Sequence, residues 1–291
     1  MKRLLLAYNP VSGKAAFKKK LDYVIESFQK RGVMLQIYRT EKDKGHFLDF
    51  VRESAAEGII AAGGDGTLHG VVNLLLKAKI NLPVGIIGSG TSNDFASYLG
   101  INKNLEEYFD NIVAGKTRPV DVGRVFDEYF INVASAGMMT AIAHDVDFRV
   151  KNTLGRFAYY LNGLKEIPKL KSMPLTVVAD GKKHELDAFL FVILNSGVVG
   201  SMKNVAAKAK IDDGKLDFLA MKKTTAAELM KTTADLIAGK PVDDAPNILH
   251  IAAEKFTVAA PGNIVSDLDG EKGPILPIEA VAVRRALDVY C

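Results

Sequence analysis

At 291 residues, with 48% hydrophobic and 25% charged side chains, the chain is a globular protein long enough for two cores rather than a disordered or fibrous one. Its 38 Lys and Arg against 34 Asp and Glu give a charge of +4, which admits an anionic substrate or surface but demands neither, and calls for no nucleic acid. The single cysteine, Cys291, excludes an intramolecular disulfide and a thiolate metal cluster and fits a reducing cytoplasm.

Met1-Lys2-Arg3 and the apolar run from Leu4 to Ala7 imitate a secretory signal, but Tyr8-Asn9-Pro10 ends that run too early, and the segment reads as a buried strand. Phe17, Leu21, Val24, Ile25 and Phe28 fall on one face of a helix, with Lys18, Lys19 and Lys20 largely on its solvated side. Val33, Leu35 and Ile37 alternate as a half-buried strand, a helix is expected around residues 46–56, and residues 58–62 form the next buried strand. Leu68, Val71, Val72 and Leu75 make one helical stripe, and residues 84–87 another strand. This alternation predicts a parallel sheet flanked by helices. Its polar, glycine-rich segments lie at the carboxyl ends of strands, where open α/β sheets bind ligands.

Beyond Pro119 hairpins dominate: residues 120–125 with 130–134, and 175–179 with 185–194 across Asp180-Gly181. Helices are expected at residues 138–149, 154–167 and 226–237, and strands from Ile248 onward. The helix at 154–167, with Arg156, Lys165, Lys169 and Lys171 nearby, suits packing on a sheet or contact with an anionic membrane. The longest apolar run elsewhere, residues 188–194, is far shorter than the roughly 20 residues that span a bilayer, so any membrane contact is peripheral. The expected fold is therefore an α/β domain over residues 1–118, completed by a C-terminal strand at 285–291, and a β-rich, sandwich-like second domain over 119–284.

Gly63-Gly64-Asp65-Gly66-Thr67 stands between a strand and a helix, where glycines let backbone N–H groups approach phosphate oxygens and the helix N-terminus favours an anion. Thr67 could instead simply cap that helix, although a cap does not require three glycines around a carboxylate. Asp65 offers the oxygen that Mg²⁺ needs beside a nucleotide. A second loop, Gly88-Ser89-Gly90-Thr91-Ser92-Asn93-Asp94, also follows a strand, with Ser92 or Asn93 as the expected cap of a short helix. A third, Asn9-Pro10-Val11-Ser12-Gly13-Lys14, lacks the upstream glycine and the Ser/Thr after lysine of a Walker A loop. Asp269 and Glu271, two carboxylates around Gly270, fit either a proton acceptor or a surface turn. None of the five histidines forms a spaced metal-binding pair.

Together these segments resemble the diacylglycerol kinase catalytic family, which includes sphingosine and ceramide kinases and bacterial lipid kinases. The matching motifs are Asn9-Pro10-Val11-Ser12-Gly13, Thr40 before Gly45-His46, Gly63 to Thr67, and Gly90 to Ala96. Val120-Asp121-Val122-Gly123, Ile211-Asp212-Asp213-Gly214 and Asp269-Gly270-Glu271 continue the series in order along the chain. The resemblance implies an ATP- and Mg²⁺-dependent kinase acting on a lipid hydroxyl, most simply that of diacylglycerol, with the site in the cleft between two domains. It implies that Asn9, Pro10, Val11, Ser12, Gly13, Thr40, Gly64, Asp65, Gly66, Thr67, Leu68, His69, Gly70 and Thr91 surround ATP. Asp65, Asp94 and Asp121 would organise the catalytic Mg²⁺, partly through waters, and Asp269 would be the general base with Glu271 beside it. Lys210, Asp213 and Lys215 match a structural Mg²⁺ site of some bacterial members, the lysines through their carbonyl oxygens. A lipid acceptor at a membrane surface, a cytoplasmic and peripheral location, and a homodimer belong to the same expectation. Gly88 replaces a usual Pro and His69-Gly70 a common Asn-Glu, departures that bear on subfamily and acceptor.

Two other readings stand beside this one. An NAD kinase shares Gly-Gly-Asp-Gly-Thr and a similar two-domain plan, but usually carries an Asn-Glu motif after that loop and explains Asn93-Asp94 and Asp269-Gly270-Glu271 less well. A non-catalytic nucleotide or lipid sensor would have little need of Asp65, Asp94, Asp121 and Asp269 together.

Overall fold

A computed structural model describes residues 1–40, 45–101, 103–137 and 172–291. The helices expected at 138–149 and 154–167, and with them the second one's membrane reading, lie outside these residues. The described chain divides into two compact units, Met1–Val122 with Arg284–Cys291, and Gly123–Val283.

The first unit is an α/β fold. Strands β1 (Arg3–Tyr8), β2 (Met34–Arg39), β3 (Ile59–Gly63) and β4 (Val84–Gly88) run parallel in the order β4-β3-β1-β2. Leu4, Leu5, Leu6 and Ala7 of the inner strand β1 are fully buried, which is why β1 reads as an unbroken apolar run rather than an alternating one. The end of β15 (Ile278–Tyr290) pairs with β4 in parallel, Val289 opposite Val84. Around the strands stand α1 (Ser12–Ala15), α2 (Leu21–Lys30), α3 (Gly45–Glu53), α4 (Asp65–Lys77), α5 (Asp94–Leu99) and α6 (Leu105–Ala114).

Three local expectations are corrected. The helix read through Phe17 to Phe28 is broken at Lys20: residues Ala16–Lys19 form a 3₁₀ turn, set off from α1 by Ala15 at a left-handed φ of 61°, and α2 begins only at Leu21. Ile37 is 40% exposed, because β2 is the edge of the sheet; its neighbour Tyr38 instead packs on Phe47 and Phe50 of α3. The helix α6 adds to the predicted set, capped by the Asn104 side chain accepting from the Glu107 amide.

The second unit is β-rich. Strands β7 (Val133–Gly137), β8 (Met173–Ala179), β9 (Lys182–Leu194), β12 (Lys255–Ala259), β13 (Val265–Leu268) and β14 (Glu271–Ile275) pair antiparallel in the order β14-β13-β7-β9-β8-β12, and β12 continues to the first half of β15. Strands β10 (Leu216–Lys222) and β11 (Ile248–Ala253) branch from β9, and α7 (Ala226–Ile237) begins with a Thr225–Glu228 capping box. The chain enters this unit through β5 (Thr117–Val125) and its hairpin partner β6 (Glu128–Phe130). Ala179 pairs with Lys182 across Asp180 and Gly181, both at positive φ, the conformation that a two-residue hairpin turn needs. Phe191, Phe218 and Phe256 stack at centroid spacings of 5.6 and 5.7 Å in the core.

Candidate active site

The parallel order places β2 and β3 on opposite sides of β1. The connections therefore diverge at the carboxyl ends of β1 and β3, the topological switch point where such sheets hold ligands. The loop after β1 starts at Asn9 and the loop after β3 at Gly64, so two of the glycine-rich motifs meet there. The Asn9 side-chain amide donates to the Thr67 hydroxyl at 3.1 Å, and the Asn9 backbone N–H donates to the Ala62 carbonyl at 2.9 Å. Thr40, at the end of β2, donates to the Tyr8 carbonyl through its backbone N–H at 2.9 Å and its hydroxyl at 3.2 Å.

The third loop, after β4, packs onto both. Ser89 N–H donates to the Gly63 carbonyl at 2.8 Å, and the Asn93 side chain closes the loop by accepting from Gly90 N–H at 2.9 Å and donating to its carbonyl at 3.0 Å. A Cβ on Gly90 would lie 2.3 Å from Gly64 Cα, and one on Gly13, at a φ of 55°, would lie 1.7 Å from the Ser89 carbonyl oxygen. The three backbones touch because no side chain intervenes, which leaves amide edges rather than side chains to line the cradle. Val11, Gly66 and Thr91 are exposed, whereas the side chains of Leu68 and His69 are buried, and the Leu68 N–H donates to the Gly64 carbonyl at 3.2 Å.

Thr67 is not the cap of α4. Gly64 holds that position without a side-chain hydrogen bond, and Thr67 stands inside the first turn with its hydroxyl accepting from Asn9. Nor does Asn93 cap α5: it occupies the N-cap position at a φ of 51°, and its side chain turns back to Gly90. Ser92 does not hold that position either. In both cases the residue is committed to shaping the loop, and the uncapped N-terminus of the thirteen-residue α4 remains suited to an anion.

Asp65 Oδ1 accepts from the Asp94 N–H at 2.8 Å, which brings those two carboxylate residues together. Asp121 is fully buried, with Oδ1 accepting from Arg285 N–H at 2.7 Å. Among the described residues no three His, Cys, Asp or Glu side chains form a ready metal cage. Mg²⁺ in kinases is held by one or two carboxylates, waters and substrate phosphates, so Asp65 and Asp94 beside the converging glycine-rich loops fit it.

In the second unit Asp269 and Gly270, at φ of 54° and 94°, form the two-residue turn between β13 and β14, with Leu268 opposite Glu271. The Asp269 carboxylate accepts from three successive backbone amides: Ile131 on Oδ2 at 2.7 Å, and Asn132 and Val133 on Oδ1, both at 2.9 Å. Glu271 is exposed. These three amides carry no mark in the sequence, because any residue supplies a backbone N–H. Lys210, Asp213 and Lys215 lie on an exposed turn in which Asp213 Oδ1 accepts from Lys215 N–H at 3.0 Å.

Comparison with known proteins places this geometry in a family. Residues 3–125 match the diacylglycerol kinase catalytic domain, and residues 132–291 the YegS C-terminal NAD kinase beta sandwich-like domain. A diacylglycerol kinase of Bacillus subtilis is 34% identical over 99% of this chain and 96% of its own length. One from Staphylococcus aureus is 31% identical over 99% and 92%. A crystal structure of a diacylglycerol kinase from Bacillus anthracis superposes with a TM-score of 0.81 at 26% identity, covering 99% of this chain and 96% of that one. With its glycine-rich loops converging at the switch point and these relatives along its full length, the chain belongs to the diacylglycerol kinase catalytic family and is a phosphotransferase with an alcohol group as acceptor.

Proposed function

We propose that this lipid kinase transfers the γ-phosphate of ATP, with Mg²⁺, to the hydroxyl of diacylglycerol and forms phosphatidic acid. The observation that carries this reading is the convergence of the Asn9, Gly64 and Gly90 loops at the switch point, with Gly64 and Gly90 backbones in contact. An uncapped helix N-terminus between glycine-rich loops suits a polyphosphate better than a neutral ligand.

Asn9 to Gly13, Thr40, the first turn of α4 and Thr91 hold the nucleotide, and Asp65 and Asp94 hold the metal, with Asp121 supporting the set through water. Mg²⁺ supplies neutralisation of the charge on the β- and γ-phosphates. Asp269 accepts the proton of the acceptor hydroxyl as its oxygen bonds to the γ-phosphorus and the bond to the β-phosphate oxygen breaks, releasing ADP. Glu271 adds negative charge beside that base, and Lys210, Asp213 and Lys215 hold a second, structural Mg²⁺. The lipid acceptor places the reaction at a bilayer surface, and no helix among the described residues is long and apolar enough to cross a membrane.

The test is incubation of pure protein with γ-labelled ATP and separate diacylglycerol, phosphatidylglycerol, sphingoid-base and NAD acceptors. Label in phosphatidic acid, dependent on Mg²⁺, is the expected result. Label in NADP instead would replace this reading with an NAD kinase, and no transfer to any acceptor would favour a nucleotide or lipid sensor.

A further inference from the structure

The amides that grip Asp269 are themselves held from behind. Asn195, the residue after β9, donates through its side-chain Nδ2 to the Ile131 carbonyl at 2.8 Å and through its backbone N–H to the Asn132 carbonyl at 2.9 Å. In a trans peptide the carbonyl and the N–H point in opposite directions. The Ile131 carbonyl shares its peptide with Asn132 N–H, and the Asn132 carbonyl shares its peptide with Val133 N–H. Those two N–H groups are the ones that meet Asp269 Oδ1, at 2.9 Å each. One residue thus fixes two consecutive peptide planes whose far edges converge on one carboxylate oxygen. Ser196 adds a third tie, its hydroxyl donating to the Asn132 side-chain oxygen at 3.1 Å.

Burial makes this arrangement stiff. Asn132, Asn195 and Ser196 are 4%, 1% and 0% exposed, so water cannot replace a lost donor cheaply, and hydrogen bonds in series through a peptide polarise one another. The Asp269 backbone closes the loop, its own N–H donating to the Val133 carbonyl at 2.9 Å.

We propose that Asn195 is a positioning residue for phosphoryl transfer, setting the Asp269 carboxylate through the two peptide units that flank Asn132. This rests on the reading of Asp269 as the base. Were Asn195 only a buried filler, nothing would link its loss to that carboxylate in particular.

The experiment is a double-mutant cycle of Asn195→Ala with Asp269→Asn, read as single-turnover phosphate transfer, KM for ATP and thermal melting. Asn195→Ala is expected to lower the transfer rate on the order of 10-fold to 100-fold, the penalty of a displaced catalytic group, while KM for ATP stays within about twofold. In the Asp269→Asn background the same substitution is expected to cost nothing further. Independent, multiplying effects of the two substitutions would overturn the positioning role and leave the base assignment standing. A near wild-type rate for Asp269→Asn alone would instead overturn the base assignment, and the positioning role with it. If Asn195→Ala melts below the assay temperature, Ser196→Ala, which removes one hydroxyl, enters the same cycle. A fall of about threefold to tenfold that vanishes with Asp269→Asn supports the proposal, and no fall or a multiplying one refutes it.

Discussion

Asn9 and Thr67 are joined across the switch point of the parallel sheet by a single hydrogen bond of 3.1 Å, while the other end of the Asn9 amide, Oδ1, accepts from Val11 N–H at 3.0 Å. The Asn9 side chain is therefore oriented at both ends and ties the loop after β1 to the first turn of α4. Thr67→Val keeps the shape and removes the acceptor. The expected result is a rise in KM for ATP of about threefold to tenfold, the worth of one ordinary hydrogen bond, with turnover at saturating ATP little changed. Steady-state kinetics decide it, and an unaltered KM would mean that the cradle keeps its shape without this tie.

The contact between Gly64 and Gly90 carries a sharper expectation. In Gly90→Ala the new Cβ would start 2.3 Å from Gly64 Cα, which is backbone and cannot rotate away, so the two loops must part. ATP binding measured by calorimetry should be lost in a protein that still melts cooperatively. Gly100→Ala is the control: Gly100 has a φ of 72° but nothing within 4 Å, so the substitution costs only left-handed strain of about 1 kcal/mol and leaves ATP affinity intact.

The parallel sheet was legible in the sequence because burial on both faces writes itself as Leu4-Leu5-Leu6-Ala7 and Ile59-Ile60-Ala61-Ala62, runs that tolerate few other readings. The glycine-rich loops were legible because close backbone approach demands glycine. What Thr67 and Asn93 do was not: a hydroxyl or an amide near a helix start fits a cap and a loop tie equally well, and only the partner's position decides. The stripe Leu105, Tyr108, Phe109 and Ile112, with Asn104 as cap, is the ordinary signature of a helix, and α6 was legible from it. The grip on Asp269 was beyond reach, since its three donors are backbone groups brought from more than 130 residues away.

A second cluster, remote in kind from the chemistry, concerns stability. Arg31 at the end of α2 donates to Asp110 at 2.7 Å and Glu106 at 2.8 Å on α6, and to the Ser27 carbonyl at 3.0 Å, with its guanidinium 5.8 Å from the Phe109 ring centre. Arg31→Ala should lower stability by about 1 kcal/mol, a modest figure because both carboxylates are largely in water. The Tyr23 hydroxyl, and after it Arg31, hold the Glu106 carboxyl below its usual 4.5. For a carboxyl lowered in the folded state, the stabilisation is present above the unfolded value and is lost as pH falls through the folded one. The melting-temperature difference between wild type and Glu106→Gln should therefore be present at about pH 7 and shrink as acid takes the pH below the usual carboxyl range. A difference that persists in acid would show that the charge of Glu106 is not its source.

The two Mg²⁺ sites proposed above are separable by substitution. Asp65→Asn keeps the side-chain oxygen that accepts from Asp94 N–H, so the junction of α4 and α5 survives, but it removes the negative charge that a divalent cation needs. Phosphate transfer should fall on the order of 100-fold or more, and the Mg²⁺ concentration for half-maximal rate should rise about 10-fold, while nucleotide binding measured in excess chelator is unchanged. Unchanged Mg²⁺ dependence would take the metal away from Asp65. Asp213 predicts the opposite pattern. Its Oδ1 accepts from Lys215 N–H on an exposed turn, so Asp213→Ala should leave transfer at saturating Mg²⁺ nearly intact and abolish the rise in melting temperature that Mg²⁺ produces without ATP. If Mg²⁺ produces no such rise in the wild type, the turn needs no ion and Asp213 does no more than close it.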